Sequence, residues 1–592
     1  MRAMQLFGMM LGVLLLTACS APKDANKQVD ESRNLELEAA TSLHLSSEKV
    51  SLGDGVGAHF VRVTQGRHGS ILVSWTEAVG EGNHALRWMR IAQDGVVGPT
   101  RLAAQGSNWF VNWADVPLVM ESGEVLWAAW LVRIDGASDG YGIRVAHSAD
   151  GGSTWSAPSW LHDDTSAVEH GFVSMVPHGE GGALAVWLDG RAFSEKREET
   201  QLISRVLNGD GSAMPEVVVD ARTCDCCPTA LLDMGDKVIA AWRDRTDEEV
   251  RDIWMAETRK GTWTVPSGMH ADNWKVAGCP VNGPVLAARE GTVFGAWYSE
   301  GAGTPQVLAG LVGGAGISEP VVIGEGTVVG RPAIAPIGED SVLVGWLERV
   351  VNDALADGET ASSGRFMVRL MDKQARLGAP FEVGRMDSSR ASGIPRLVAN
   401  GDAVLAVWTD VQGQTIGAAR ITGRTAEQQA LADAKAIAQE LGGALKQSLV
   451  AKMKEGGPVA AVEHCSLEAE SLTAKVSAER GAKIGRSSLR LRNPNNTAPD
   501  WVAAWLNEQG QRKIEGVQGV AIIEQTASGE VARFLKPLGV EAPCLNCHGP
   551  EPAAPIAKVL EERYPNDQAT GYALGDLRGA LWVELPVQPS PP

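Results

Sequence analysis

A tryptophan that recurs at nearly constant spacing restricts the fold of this chain more than any other feature. Each of these tryptophans ends a short apolar run, as at 71–75 and 404–408. Seven of them follow one another at intervals of 55, 57, 55, 55, 49 and 62 residues: Trp75, Trp130, Trp187, Trp242, Trp297, Trp346 and Trp408. Self-similarity at about 50 residues, with β-type runs and glycine-rich turns, indicates a β-propeller with one four-stranded sheet per repeat. We predict an all-β propeller over residues 45–423, with seven blades preferred and six still compatible with the pattern.

The order of strands within one repeat can also be predicted. The tryptophan run is assigned to the second strand, and residues 142–147 are an example of the third. Residues 148–155 then read Ser-Ala-Asp-Gly-Gly-Ser-Thr-Trp, in which Asp150 is suited to accept hydrogen bonds from turn amides. The last repeat ends near Ile421 without a fourth strand, and residues 43–47 are available to supply it. Such closure would remove open sheet edges.

Residues 148–155 resemble the Asp box of sialidase-like propellers, a family whose members usually have six blades. The box is an architectural feature and carries no information about activity. A sialidase needs an arginine trio, a Tyr–Glu nucleophile pair and an acidic aspartate. The propeller contains only Tyr141 and Tyr298, and only Arg331 and Arg396 are well placed at strand starts. Sialidase-type hydrolysis is therefore the weakest of the enzymatic alternatives.

Two cysteine-containing segments, 223–228 and 278–284, come just before the innermost strands of the fourth and fifth repeats. We expect their cysteines to lie together near the central channel: Cys224, Cys226, Cys227 and Cys279. One interpretation is a pair of disulfides between adjacent blades in an oxidising compartment. The other is a copper or zinc site, although adjacent Cys226 and Cys227 do not readily act as independent ligands. His59 and His170 are further candidate ligands on the same rim, together with Asp115.

The amino terminus resembles a bacterial lipoprotein signal. Residues 1–18 form a short signal peptide, and Leu-Thr-Ala-Cys at 16–19 resembles the lipoprotein box, which implies cleavage before Cys19 and lipidation of its thiol. Residues 19–44 would be the anchor and a flexible tether, whereas a plain secretory signal is the alternative. Serine at position 20 resembles lipoproteins of the outer membrane. The net charge of -19 excludes a general attraction to nucleic acid. We expect a periplasm-facing envelope protein held at the membrane through lipid.

The composition changes near residue 424, after which alanine, glutamine, leucine and charged residues predict a helix that ends at 456–458. Further along, Cys544, Cys547 and His548 form a C-x-x-C-H motif. Two thiols at this spacing can form thioethers to one haem, and the adjacent histidine can bind its iron. A thiol redox pair or a zinc ligand pair is the alternative. The sequence therefore predicts covalent haem c, and copper or zinc remains a candidate only in the propeller.

A series of further motifs resembles a bacterial family of single c-type haem domains with a PAS-like fold, formerly a domain of unknown function and also found in sensor kinases. The motifs lie at 456–466, 485–496, 499–501, 533–538, 544–549 and 564–579. This resemblance implies an α+β haem domain over 424–588. By the same resemblance His548 is the proximal iron ligand and Cys465 the distal one, with His464 as a rival.

Other residues of this domain are assigned to the cofactor by their position in the motifs. Tyr572 and Arg578 lie in the segment that encloses the haem in the family. Three arginines are candidates to pair with haem propionates: Arg486, Arg490 and Arg492.

Two protein ligands on the iron would leave no open position for a substrate. The expected function is therefore electron transfer or redox sensing with a partner protein in the envelope, the propeller serving as a docking or metal-bearing domain. One alternative is a propeller enzyme, such as a metal-dependent oxidoreductase, that uses the haem as an electron outlet. Another is a non-catalytic binding scaffold.

Overall fold

A computed structural model describes residues 43–588, apart from 54–57, 135–139, 195–198, 260, 318, 351–362 and 412–414. The side chain of Cys465 also lies outside the description. The predicted signal peptide, Cys19 and nearly all of the tether fall within residues 1–42, outside the described residues. Among the described helices, none combines the length and the apolar character that crossing a bilayer requires.

The part of the chain described between 44 and 424 forms seven antiparallel sheets. The first strands in chain order are β1 (His44–Lys49), β2 (Ala58–Gln65), β3 (Ile71–Ala78), β4 (Asn83–Ile91), β5 (Arg101–Ser107), β6 (Leu118–Ser122), β7 (Val125–Arg133), β8 (Tyr141–Ser148), β9 (Ser159–Trp160), β10 (His170–His178), β11 (Gly182–Asp189), β12 (Thr200–Leu207) and β13 (Val217–Thr223). A short helix, α1 (Arg191–Ser194), follows β11.

The later strands are β14 (Ala230–Asp233), β15 (Val238–Arg243), β16 (Ile253–Arg259), β17 (Thr262–Trp263), β18 (Ser267–His270), β19 (Val285–Arg289), β20 (Thr292–Ser299), β21 (Gln306–Leu311), β22 (Val321–Glu325), β23 (Val328–Ile337), β24 (Ser341–Arg349), β25 (Ser363–Asp372), β26 (Phe381–Asp387), β27 (Arg396–Asn400), β28 (Ala403–Asp410) and β29 (Thr415–Arg424). Six sheets are meanders of consecutive strands, and the seventh joins β1 to β29, β28 and β27.

The seven sheets are arranged in a closed ring. The first strand of each sheet contacts the first strand of the next, in the order β2, β6, β10, β14, β19, β23 and β27, and β27 returns to contact β2. This is the architecture of a β-propeller, as the repeat predicted. The pairing of β1 with β29 also confirms that a segment at the front of the chain completes the last sheet.

The repeat tryptophans hold neighbouring sheets together. All seven lie in the second strand of their sheet and are buried. Trp75, for example, packs with Val398 and Leu405 of the preceding sheet in one apolar cluster. Because each second strand is apolar on both faces, it fills the space on either side of its own sheet. The period of the sequence is therefore the period of the core.

The Asp box closes the turn between β8 and β9. Asp150 accepts hydrogen bonds from the backbone amides of Ser153 and Thr154, at 3.0 and 2.9 Å, and from the Thr154 hydroxyl at 2.6 Å. Trp155 packs against a cluster that draws on the first two sheets. The motif thus acts as a hairpin brace, as expected.

The carboxy-terminal part is a helix-plus-sheet domain. Its helices are α2 (Ala426–Arg480), α3 (Asp500–Gln509), α4 (Leu545–His548) and α5 (Ala554–Arg563). Its strands are β30 (Lys483–Ser487), β31 (Val520–Thr526), β32 (Gly529–Gly539) and β33 (Leu577–Pro586). The antiparallel sheet has the order β30-β33-β32-β31, and α2 packs on it. Single 3-10 turns lie at Arg67–Gly69, Arg390–Ser392, Pro494–Asn496 and Ala542–Cys544.

Helix α2 is a hairpin of two helical segments. Thr425 begins it with a capping box, and Gly456 and Gly457 interrupt it with non-helical backbone angles, where the sequence predicted an end. Two contacts join the antiparallel segments: Ser448 to His464 at 2.7 Å, and Arg480 to Glu440 at 2.9 Å. The first segment packs its apolar residues on the sheet up to Leu445, whereas Leu449 is 37% exposed.

Candidate functional sites

The C-x-x-C-H segment forms a single helical turn that is packed on both sides. Cys544 and Cys547 are half-buried, and neither forms a disulfide among the described residues. Cys544 packs against Val540, Ala569 and Tyr572, whereas Cys547 packs in a cluster with the α2 residue Val462. A 3-10 turn followed by α4 brings both thiols and His548 into about seven residues of compact backbone. This segment thus lies between α2 and the loop that precedes β33.

The imidazole of His548 is oriented by a backbone group. Its Nδ1 lies 2.6 Å from the carbonyl oxygen of Ala569, and since a carbonyl only accepts, Nδ1 is the donor. The lone pair of Nε2 is therefore free to bind a metal, the arrangement that outer-shell partners impose on ligating histidines. Burial, followed by the nearby charges of Arg578 and Arg492, lowers the pKa of His548 to about 3. The ring is neutral at physiological pH.

Arg492 and Asp567 hold the same segment from behind. Arg492 donates to the carbonyl oxygen of Cys547 at 2.5 Å and to the Asp567 carboxylate at 2.9 Å. Asp567 in turn accepts from the backbone amide of Ala569 at 2.8 Å, the residue that binds His548. Both side chains are largely buried, at 12% and 10% exposure. The thiol turn and the histidine acceptor are thus linked through one ion pair.

Cationic groups line the space beside His548. Arg490 lies 3.7 Å over the ring of Tyr572 and donates to the carbonyl of Thr570 at 2.9 Å. Arg490, Tyr572 and Arg578 line a cavity of about 190 Å³. The Nε of Arg578 is buried without a hydrogen-bond partner among the described residues. Burial lowers the pKa of Arg578 to about 10. A buried guanidinium with an unpartnered Nε, near the C-x-x-C-H segment, fits a haem, whose propionates are anionic.

The other residues assigned to the cofactor lie around this site. Arg486 is in β30, where its backbone pairs with Leu581 of β33. Cys465 lies in the second segment of α2, and its side chain is outside the described residues. Val462, one helical turn earlier, belongs to the cluster that contains Cys547. His464, the rival distal ligand, is engaged by the hydroxyl of Ser448.

The four propeller cysteines come together before β14 and β19. The Sγ atom of Cys224 is 3.6 Å from that of Cys227 and 3.8 Å from that of Cys226. The ligand atoms of Asp225, Cys226 and Cys279 also lie within 4.8 Å of one another. Adjacent Cys226 and Cys227 both point at Cys224, which the sequence alone did not favour. No disulfide joins any two of these four cysteines in the described structure.

Charged groups surround these thiols. Arg251 is buried and donates to the Sγ of Cys224 at 3.2 Å. Hydrogen bonds from the thiols of Cys226 and Cys227, aided by the Arg251 charge, hold the pKa of Cys224 well below its ordinary value. The Oδ1 of Asp225 is buried and has no hydrogen-bond partner in the described part of the chain. The cluster therefore favours at least one thiolate.

The candidate histidines lie apart from this cluster. Among the described residues, neither His59 nor His170 belongs to a group of potential metal ligands that contains a cysteine. His59 pairs with Thr76 across β2 and β3. His170 is fully buried between the carboxylates of Asp164 and Asp189, at 3.3 and 3.0 Å. It is thus surrounded by oxygen groups rather than sulfur.

Among the remaining propeller candidates, Arg331, Tyr141 and Tyr298 are engaged in structural contacts. The Nε and Nη2 atoms of Arg396 are buried without a hydrogen-bond partner among the described residues. Arg331 donates to the Ser392 hydroxyl at 2.9 Å and to the Gly393 carbonyl at 2.7 Å. Tyr141 donates to Asp115 at 3.2 Å, and Tyr298 to Glu300 at 2.5 Å. Arg331 and Arg396 both line the central cavity of about 630 Å³.

Several groups at these sites could not be identified from sequence. The acceptor for His548 is a backbone carbonyl, which any residue at position 569 provides. Arg251 is 27 positions from Cys224 and reaches it only through the pairing of strands. Asp567 had a weak signal, as an acidic residue within a motif of the haem-domain family. Asp225 had a stronger one, because it lies between cysteines.

Comparison with known proteins bears on both halves of the chain. Residues 423–586 match a family model described as Tll0287-like, Tll0287. The solved structure of the cyanobacterial heme-protein Tll0287 is 26% identical, covering 21% of this chain and 71% of that protein, with a TM-score of 0.17. No curated protein matches the chain. The match of residues 423–586 confirms the resemblance to a haem domain that the motifs indicated.

The central region has neighbours among propeller structures. Penicillium chrysogenum alpha-L-arabinanase is 14% identical, covering 56% of this chain and 100% of that protein, with a TM-score of 0.34. Trypanosoma rangeli sialidase is 12% identical, covering 67% of this chain and 62% of that protein, with a TM-score of 0.34. The ring of sheets described above defines the propeller independently of these neighbours.

Proposed function

We propose that this protein carries one haem c, attached through Cys544 and Cys547 and bound at the iron by His548, and that it transfers or senses single electrons. The observation that carries the proposal is one helical turn that brings together Cys544, Cys547 and an imidazole whose Nδ1 is held by Ala569. Bound haem would supply a one-electron couple. The protein's own residues fix the ligand tautomer, cover the site and provide cations for the propionates.

Cys465 is proposed as the second axial ligand. Its position on α2 is one turn beyond Val462, which packs with Cys547, so the second helical segment faces the haem-binding turn. A thiolate ligand stabilises the ferric state and lowers the reduction potential. With both axial positions filled by protein, no substrate would reach the iron. This favours electron transfer or sensing over catalysis at the haem.

The proposal extends to the cell envelope. Haem c assembly and the lipoprotein-like sequence at 16–19 are both consistent with export and with a lipid anchor at Cys19. A redox protein held in this way would meet its partners at the membrane surface. Crosslinking in the native envelope would identify these partners. The propeller, which exceeds the haem domain in size, would dock such a partner.

Covalent attachment is tested by substituting the thiols. Protein made in a host that assembles haem c should retain its haem after denaturation and acid–acetone extraction, with one iron per chain. The C544A/C547A double variant should release the haem or lack it. Cys279→Ser removes an exposed thiol outside this domain and serves as the matched control. A pigment that is fully extractable from the wild-type protein would contradict the proposal.

The second ligand is tested separately by spectroscopy. Cys465→Ala should convert the ferric spectrum from low-spin to high-spin, or shift it to a new low-spin ligand, and should raise the midpoint potential. His464→Ala, at the neighbouring position, should leave the spectrum unchanged. The reverse result would assign the ligand to His464, and an unchanged spectrum in both variants would refute either assignment.

A further inference from the structure

The propeller thiols have the spacing of ligands around one metal ion. The Sγ distances of 3.6 and 3.8 Å from Cys224 are far beyond the S–S bond of about 2.05 Å in a disulfide. Four sulfurs at the Zn–S distance of about 2.3 Å define a tetrahedron with edges of about 3.8 Å. Cys224 and Cys227 also have the C-x-x-C spacing common among zinc ligands. The distances from Cys224 to Cys226 and to Cys227 therefore match the edges of a metal thiolate set.

The fourth corner is supplied from the neighbouring sheet. Cys279 precedes β19, whereas the other three cysteines precede β14, and its Sγ lies within 4.8 Å of that of Cys226. It is the exposed member of the set, so the site opens toward solvent at this corner. A small movement of an exposed side chain would complete the coordination. The metal would then join two adjacent sheets of the ring.

Charge at the cluster also favours a metal ion. Arg251 is the cation that donates to this cluster, at 3.2 Å from the Sγ of Cys224. The buried Oδ1 of Asp225 has no hydrogen-bond partner among the described residues, and its nearest cation is Arg251 at 3.9 Å. A cation held between the sulfurs would lie beside this carboxylate oxygen, whose contact with Arg251 is a long one.

We propose that Cys224, Cys226, Cys227 and Cys279 bind a single thiophilic metal ion of the zinc(II) and copper(I) class, which joins the fourth and fifth sheets of the propeller. The site is separate from the haem domain and involves no histidine. Both ions accept sulfur ligands in this arrangement, and a place between two sheets favours a structural role.

The test measures metals in the full-length haem protein, purified anaerobically. We expect one zinc or copper per chain in addition to one haem iron. Cys226→Ser should lower the zinc or copper content at least tenfold and leave iron at one per chain. The C544A/C547A variant should do the reverse. X-ray absorption at the edge of the retained metal should show a sulfur shell, at about 2.3 Å for zinc. Zinc and copper are told apart by the elemental analysis.

If Cys226→Ser fails to fold, Cys279→Ser provides the test, because the side chain of Cys279 is exposed. In this variant added Zn²⁺ or Cu⁺ should bind at least tenfold more weakly than in the wild-type protein. The proposal would be overturned by a metal-free protein with four hydrogens fewer than the reduced chain, because that mass means two disulfides. Full metal retention in Cys226→Ser and Cys279→Ser would overturn it equally.

Discussion

The ion pair between Arg492 and Asp567 connects Cys547 with the backbone group that orients His548. Arg492 binds the Cys547 carbonyl, and Asp567 fixes Ala569, which orients His548. Breaking a largely buried pair leaves an uncompensated charge. We expect Asp567→Asn to lower the free energy of unfolding of this domain by about 1–3 kcal/mol. Denaturant titration followed by haem absorbance measures it.

A surface ion pair in the same domain is the matched control. Lys558 and Glu562 lie 3.9 Å apart on α5 and are 77% and 61% exposed. Exposed pairs contribute little, so Glu562→Gln should change the stability by less than about 0.5 kcal/mol. Equal effects of the two substitutions would mean that the Arg492 and Asp567 pair does not support the haem turn.

Asp115 gives the propeller a dependence on pH. Burial raises the pKa of this carboxyl to about 7, against the hydrogen bonds from Phe172 and Tyr141 and the charge of Arg62. The folded protein therefore retains a proton that the unfolded chain releases near pH 4, so stability falls as the pH rises from about 4 to 7. Asp115→Asn should flatten this dependence and be more stable than wild type at pH 8, by as much as about 4 kcal/mol.

Thermal unfolding of both proteins between pH 4 and 8, followed by tryptophan fluorescence, measures the difference. Asp244 also has a raised pKa, of about 7, mainly through burial, and its contribution is common to both proteins. Parallel pH profiles would show that Asp115 is ionised in the folded state throughout this range.

At the residue scale, the sequence predicts which side chains can bind a cofactor or metal better than it predicts the groups that surround them. The motif Cys544 to His548 indicates two thioethers and a ligand because its spacing is local. The thiols at 224–227 and 279 were expected together because the repeat aligns the two segments at equivalent positions. Arg251 was not expected beside them, since its approach depends on side-chain packing between strands. The same reason hides the burial of Arg578, whose neighbours lie on several elements.

At the scale of elements, the hairpin in α2 depends on one glycine. Gly457 has φ of 74° and ψ of -168°, a conformation that is essentially restricted to glycine. No neighbouring atom would touch an added Cβ there. Gly457→Ala should therefore destabilise the domain by about 1–3 kcal/mol through backbone strain alone. Since the hairpin carries Cys465, the change should also perturb the proposed axial ligation, seen in the ferric spectrum.

Gly443 provides a control of the opposite sign. It lies within the first segment of α2, is exposed, and has nothing within 4 Å of an added Cβ. Alanine is favoured over glycine in a helix interior by roughly 0.5–1 kcal/mol. Gly443→Ala should therefore stabilise the domain. If both glycine variants were destabilising, the cause would be packing of the helix rather than the turn conformation.

Element prediction succeeded where a strand had a fixed chemical marker. The second strands were located by their tryptophans, and β8 and the brace at 148–155 by the glycines and Asp150. Strand β18 had no comparable marker, and the sequence did not indicate that both β17 and β18 pair with β16. Likewise, the strand order β30-β33-β32-β31 within the second domain's sheet depends on packing under α2, which no local sequence pattern specifies.

At the scale of the whole molecule, the ring is closed by a strand from the other end of the propeller sequence. Residues of β1 pair in register with β29, from His44 opposite Arg424 to Lys49 opposite Ala419. Strand β29 leads at once into α2, and in its sheet it has β1 on one side and β28 on the other. Without β1, the edge of β29 would be unpaired beside the second domain.

Removal of β1 should therefore act on the whole propeller. A chain truncated through residue 49 lacks β1. It would lose six pairs of residues in the closing sheet and the packing of Leu43 and Leu45 in the adjacent cluster. Because sheets in a ring support one another, we expect a lower midpoint of thermal unfolding for the propeller and concentration-dependent association through the exposed edge. Calorimetry and light scattering measure these effects. A chain that lacks only residues 1–42 keeps β1; it is the control and should behave as the full-length protein. Identical melting of both truncated chains would mean that the ring is stable without its closing strand.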